Sequence, residues 1–299
     1  LRSYKSKDAA MALYAPIGLL LLPVVWLVTI FVGYGLMYWG LGVRPVAETL
    51  VLSGSSMLTL GFDAPKTLLV TFLAFSEAAI GLIVVALFIS YLPTMYSAFS
   101  RRERDVTMLE VRAGTPPSAQ TLLWRYWRIH GLDRLGKLWE TWEMWFADLE
   151  ETHTSLAALS YFRSPQPDHS WITAAGTILD AAALALAAVD IPYEPQAALT
   201  IRAGYLALQR ICDFFGIPYN ATPRPDDPIS ISRQEFDELY DFLAANDVPL
   251  KPDRDAAWRD YRGWRVNYDV PLLSLALLLM APPAPWSSDR YPAWRRRLF

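Results

Sequence analysis

The sequence predicts an all-α membrane protein: two transmembrane helices joined by a short re-entrant segment, then a helical soluble domain. Three observations carry that expectation. Two apolar segments, Tyr14 to Leu41 and Leu68 to Met95, contain no Lys or Arg, and each exceeds the roughly 20 residues that cross a bilayer. The stretch between them, Glu48 to Pro65, is rich in Gly, Ser and Thr; non-helical backbone is tolerated at membrane depth only where it lines a wet cavity or is buried in protein. The chain is 53% hydrophobic and 19% charged, and the apolar excess lies before Met95, which leaves a second part of ordinary domain size. The expected division is a membrane domain over 1–104, a linker over 105–118 and an all-helical cytoplasmic domain over 119–299.

Orientation follows from charge. Arg2, Lys5 and Lys7 precede the first span and Arg101, Arg102 and Arg104 follow the second, whereas the connection holds only Arg44 and Lys66 against Glu48 and Asp63. The positive-inside rule then puts both termini in the cytoplasm of a multi-pass protein of the cell membrane. Tyr34, Tyr38 and Trp39 are expected at the outer headgroup level. The first apolar segment is too long for the h-region of a signal peptide and lacks a clear small-residue cleavage site, so it is read as a retained span.

The connecting segment divides in two: Val46 to Ser53 is expected to form a short helix, and Ser55 to Pro65 to return as extended chain. Thr59-Leu60-Gly61-Phe62 suits a chain whose carbonyls face a narrow axis. Thr59 brings a hydroxyl at the inner mouth, Leu60 an apolar side chain behind the loop, and Phe62 an aromatic spacer packing outward. Gly61 allows backbone geometry that a Cβ penalises. With these residues in that place, the chain resembles the two-transmembrane potassium-channel superfamily of prokaryotic type, built from an outer helix, a pore helix, a Thr-Val-Gly-Tyr-Gly filter and an inner helix. The resemblance covers roughly residues 10 to 104 and extends into Phe75 to Ser90, which looks like an inner helix with its hinge glycine. It implies a homotetramer in the lipid bilayer, with Thr59, Leu60, Gly61, Phe62 and Asp63 as the ion filter. Asp63 follows Phe62 directly, where the family has a second glycine. The implied permeant ion is therefore K+, either preferred or shared with Na+ in a weakly selective pore with a carboxylate ring at its mouth.

Within the second span, Glu77 reads either as a carboxylate bonded to the back of the filter through Ser55, Ser56 or Thr59, or as a packing group near the interface. Gly81 reads as a gating hinge or a packing glycine. Pro93 is expected to bend the helix, as a gate or as fixed structure.

Beyond Arg104, Val106 to Arg112 continues the second helix until Gly114-Thr-Pro-Pro117 breaks it. Ala119 to Leu159 reads as strongly helical by its apolar spacing. Its tryptophans at 124, 127, 139, 142 and 145 read first as core, with a subunit interface, membrane contact or ligand site as alternatives. Trp171 to Val189 is long enough to tempt as a third span, but it is Ala-rich with Asp180 at its centre, so it reads as a buried soluble helix. Helices are further expected over Pro195 to Phe215, from the capping box Ser232-x-x-Glu235 to Ala245, and over Arg254 to Arg262 and Val270 to Met280; a basic tail follows at Arg295 to Arg297.

A net charge of −3 gives no footing for nucleic acid. The one cysteine, Cys212, excludes an intrachain disulfide and reads as core filler. His153 and His169, near Glu150, Glu151 and Asp168, lack metal-motif spacing and read as surface or capping residues; a histidine near Arg163 could tie gating to pH. With no glycine-rich phosphate loop, no paired-His helix and no nucleophile elbow, no enzyme is expected. The reading is a cation channel gated by its cytoplasmic domain, which senses an unknown ligand; the alternative is a non-conducting membrane receptor or scaffold built on a pore-like fold.

Overall fold

The computed structural model describes residues 4–292, so Arg2 and the tail at Arg295 to Arg297 lie outside the described residues. Among the described residues the chain is helical, with ten α-helices, two short 3-10 turns and a single isolated bridge between Val189 and Leu250. By internal packing it forms two units, Leu13–Ser97 and the remainder.

The first unit is built on α1 (Tyr4–Gly40) from Leu13 onward, α2 (Val46–Met57) and α3 (Leu68–Ala113) as far as Ser97. Helices α1 and α3 are both long and apolar enough to cross a membrane, and the most apolar window of α1 has none of its residues buried within the chain. Such a surface is stable only against lipid or other protein. Helix α3 runs unbroken through Pro93.

Helix α2 is longer than expected. It continues through Ser55 to Met57 and closes in a Schellman motif, with Leu60 N–H donating to Ser55 O at 2.8 Å and Thr59 N–H to Ser56 O at 3.1 Å. Thr59 sits at the left-handed position of that motif, with φ 53°, where glycine is the usual residue. The extended return therefore starts at Leu60. Ser55 and Ser56 stay helical because their carbonyls accept the closing bonds of the motif and the Ser55 hydroxyl receives the chain that returns from it.

The second unit is a helical bundle: α4 (Ala119–Arg128), α5 (Leu135–Ser155), α6 (Trp171–Ala187), α7 (Pro195–Phe214), α8 (Arg233–Ala245), α9 (Arg254–Arg265) and α10 (Asp269–Leu278). The expected helix from Ala119 to Leu159 is broken, since the chain reverses at Ile129–Gly131, with His130 at φ 52°, before a 3-10 turn at Leu132–Arg134. Helix α6 is the bundle's axis. It packs on α4, α7, α9 and α10 and is buried along nearly its whole length, which explains an apolar, Ala-rich sequence without a membrane. Trp139, Trp142 and Trp145 are core, as is Cys212, whose thiol burial pushes up to about 12. Val106, Leu109 and Ala113 also belong to that core, so the last turns of α3 are part of the bundle. The capping box at Ser232 and Glu235 is present in full.

The centre of this core is ionic. Asp180 accepts two bonds from Arg265 at 2.8 Å and further ones from Tyr268 (2.9 Å) and Tyr261 (3.1 Å), while Arg265 also reaches Asp269 at 2.7 Å. Burial alone would lower the Arg265 guanidinium, but the two carboxylates outweigh it and hold it well above its usual range. Removing one partner of a buried pair of this kind leaves an uncompensated charge and is strongly destabilising.

Candidate functional site

The candidate site is the turn that follows α2. Its support is a carboxylate placed where all three helices of the first unit meet. Glu77, fully buried in α3, accepts a bond from Tyr38 Oη of α1 at 2.7 Å and one from Ser53 Oγ of α2 at 2.5 Å. Ser53 Oγ also lies 3.0 Å from the Phe31 carbonyl of α1. Ser55, Ser56 and Thr59, the expected partners of Glu77, are not its partners: α2 is one turn longer at its C-terminus, which carries those residues past the carboxylate. Tyr38 is 0% exposed within the chain, and its hydroxyl is the donor that satisfies Glu77. A Ser one helical turn before the Gly/Ser-rich end was the available signal for Ser53, and nothing in the sequence separated it from its neighbours.

Gly81 has a steric role. A Cβ at this position would stand 2.2 Å from the Met57 carbonyl oxygen, so the C-terminal end of α2 lies directly on the α3 backbone. Only glycine permits that approach.

Ser55 organises the turn itself. Its hydroxyl accepts from the backbone N–H of Phe62 at 2.8 Å and from that of Asp63 at 3.4 Å. Left-handed conformations fall at Thr59 (φ 53°) and Gly61 (φ 71°), with Leu60 between them outside that region. Among the described residues, no donor reaches the carbonyls of Thr59, Leu60, Gly61 or Phe62. The turn thus engages backbone N–H groups within the protein and leaves a run of carbonyl acceptors unused. Within the chain, Leu60 is 51% and Phe62 78% exposed, so the packing expected for these two side chains is not made by the chain alone. Asp63 is half-buried, and its carboxylate accepts the Ala64 N–H at 2.9 Å.

In the second unit, the segment following the apolar part of α3 is anchored by Arg102. Its buried guanidinium donates to Glu103, to the carbonyls of Leu159 (3.0 Å) and Phe162 (2.6 Å), and to His153 Nε2 at 3.1 Å. An arginine only donates and a carbonyl only accepts, so His153 is neutral: Nε2 accepts from Arg102 while Nδ1–H donates to Leu149 O at 2.9 Å. Burial, reinforced by the Arg102 charge, holds His153 well below the usual histidine range. His153 and His169 are buried, not surface residues. They serve different contacts, His169 lying 3.4 Å from Glu110 and Glu150 pairing with Arg210. Among the described residues no three His, Cys, Asp or Glu side chains are grouped to hold a metal.

No family model, curated protein or solved structure matches the chain.

Proposed function

We propose that four copies of this chain form a cation channel of the potassium-channel type in the cell membrane, with Thr59 to Asp63 as the filter and the helical domain as the cytoplasmic regulator. The observation that carries this reading is the run of unbonded carbonyls from Thr59 to Phe62 between two helices of membrane-crossing length. A carbonyl left without a partner in hydrocarbon costs several kcal/mol. The same carbonyls become useful when they replace the hydration shell of a cation. The alternation of backbone handedness at Thr59 and Gly61 suits successive carbonyls aimed at one axis.

Depth supports the same reading. Gly81, which receives the end of α2, lies thirteen residues into α3, or about 20 Å along the axis at 1.5 Å per residue. If α3 crosses a hydrocarbon layer of roughly 30 Å, α2 is a re-entrant helix whose C-terminal end, the negative end of its dipole, points at the ion path from mid-membrane. One pair of spans cannot enclose such a path, so cyclic assembly follows, and the exposed Leu60 and Phe62 find their packing on neighbouring copies. The missing second glycine bears on selectivity: K+ is the expected main ion, with Na+ excluded less strictly than by a filter with both glycines.

The test is flux from proteoliposomes under matched K+ and Na+ gradients, with Gly61→Val as control. Flux of K+ above Na+ that falls to the protein-free level in the variant is the expected result. A left-handed φ excludes a β-branched residue, and no neighbour lies within 4 Å of a Cβ at Gly61, so assembly should survive. Unchanged flux in the variant would reject the filter; absence of flux from assembled wild-type protein would favour a non-conducting receptor.

A further inference from the structure

We propose that the helical domain binds a phosphate-bearing anion in the cleft formed by the last turns of α3, by α4 and by the start of α5. The cleft has a volume of about 1140 Å³, ample for a small ligand. Arg112, Arg125, Arg128, Arg134 and Lys137 line it, against the single carboxylate of Asp105, which is already engaged by Arg104 at 3.4 Å. The whole chain has more acids than bases, 30 against 27, so the cleft reverses the sign of the protein around it.

Helix architecture accounts for only three of these cations. Arg112 donates to the Met108 carbonyl, and Arg125 to those of Glu110 and Val111. These carbonyls lie in the last turns of α3, at a helix C-terminus, where positive charge is favoured. Arg128 lies over the Trp124 ring at 4.9 Å. Arg134 and Lys137 have no such explanation. Neither makes an ion pair or side-chain hydrogen bond among the described residues, and both stand at the start of α5, which has no acid in its first turn and whose dipole disfavours cations there. Two exposed, unpaired cations facing three others across one cleft are arranged for a multiply charged anion that all can share.

The apolar lining narrows the chemistry. Trp124 is occupied by Arg128 and by Phe242, and Trp142 packs on Trp145 at 4.6 Å, so neither indole offers a free face. Met108, Val111 and Ile129 are instead exposed in the cleft, at 46%, 77% and 71%. A phosphate carried on an aliphatic body satisfies both halves, and it is supplied either by a soluble phosphorylated metabolite or by a lipid headgroup. An anion bound here would link the end of α3 to the start of α5. An effect of that link on gating rests on the channel reading, whereas the binding itself does not.

Binding is tested by calorimetric titration of the full-length protein in neutral detergent. The probes are inorganic tripolyphosphate and, separately, a short-chain phosphatidic acid. Wild-type protein should bind at least one probe saturably, with affinity that falls as salt is raised and drops by about tenfold or more in the Arg134→Glu/Lys137→Glu variant, whose fold is checked by its melting transition. Tripolyphosphate binding would assign the site to soluble phosphates; binding of phosphatidic acid alone would assign it to lipid headgroups. No saturable binding of either probe, or binding unchanged in the variant, overturns the proposal. Because no flux is measured, failure here leaves the channel reading standing, and a silent channel leaves the binding result standing.

Discussion

At the scale of single residues, the buried polar groups bear most of the functional argument. Glu77 is the clearest: one carboxylate ties Tyr38, Ser53 and its own helix into a single node, so the turn after α2 inherits its position from three helices at once. His153 gives a prediction with a definite sign. Its folded state is neutral and its pKa depressed, while an unfolded histidine titrates near 6.5, so the unfolded chain takes up the proton first as pH falls. The contribution of His153 is complete about one unit above pH 6.5 and is lost progressively as pH falls through that value towards the depressed folded pKa, with a limiting slope of about 1.4 kcal/mol per pH unit for one proton. Thermal unfolding followed by tryptophan emission should shift downward between roughly pH 7.5 and 5, and His153→Gln, which keeps an acceptor for Arg102 without titrating, should flatten that shift. An equal slope in the variant would remove His153 from the account.

At the scale of elements, helix ends matter more than helix centres. Helix α8 begins where its capping box says it should, and α2 ends in a motif that puts a threonine where glycine is cheaper. A non-glycine residue in the left-handed region carries about 1 kcal/mol of strain. Thr59→Gly should therefore leave the melting point in detergent unchanged or raised, because relief of strain offsets the extra freedom of an unfolded glycine. If the Thr59 hydroxyl is an ion ligand, the same change should alter the ratio of K+ to Na+ flux. Altered flux at undiminished stability would identify strain retained for function; a fall in both would mark Thr59 as structural.

At the scale of the whole molecule, the two units use their apolar residues in opposite ways. The bundle buries Trp139, Trp142, Trp145 and nearly all of α6 around the Asp180–Arg265 centre. The first unit turns Leu20, Trp26, Leu69 and Phe72 outward. An apolar surface of this extent marks a place of contact with lipid or other protein, and the channel reading puts further copies of the chain there. Native mass measurement in detergent is expected to give four chains per particle, the number that surrounds one axis in the resembled family. A stable monomer would leave Leu60 and Phe62 with no protein partner and would count against the filter.

Sequence by itself determined the elements whose signal is local. Length and apolar composition marked α1 and α3, a centrally placed Asp180 marked α6 as a buried bundle helix, and the spacing of Ser232 and Glu235 started α8. Each depends on residues within a few turns of one another. Tertiary structure decided the rest, since the deciding partner is far away in the chain. It chose Tyr38 and Ser53 for Glu77 and made Gly81 a seat for the Met57 carbonyl. It also extended α2 through Ser55, so that this hydroxyl meets the N–H groups of Phe62 and Asp63. It gathered cations from three helices into one cleft. A carboxylate in a long apolar run announces that it needs a donor; which donor it receives depends on how the helices pack.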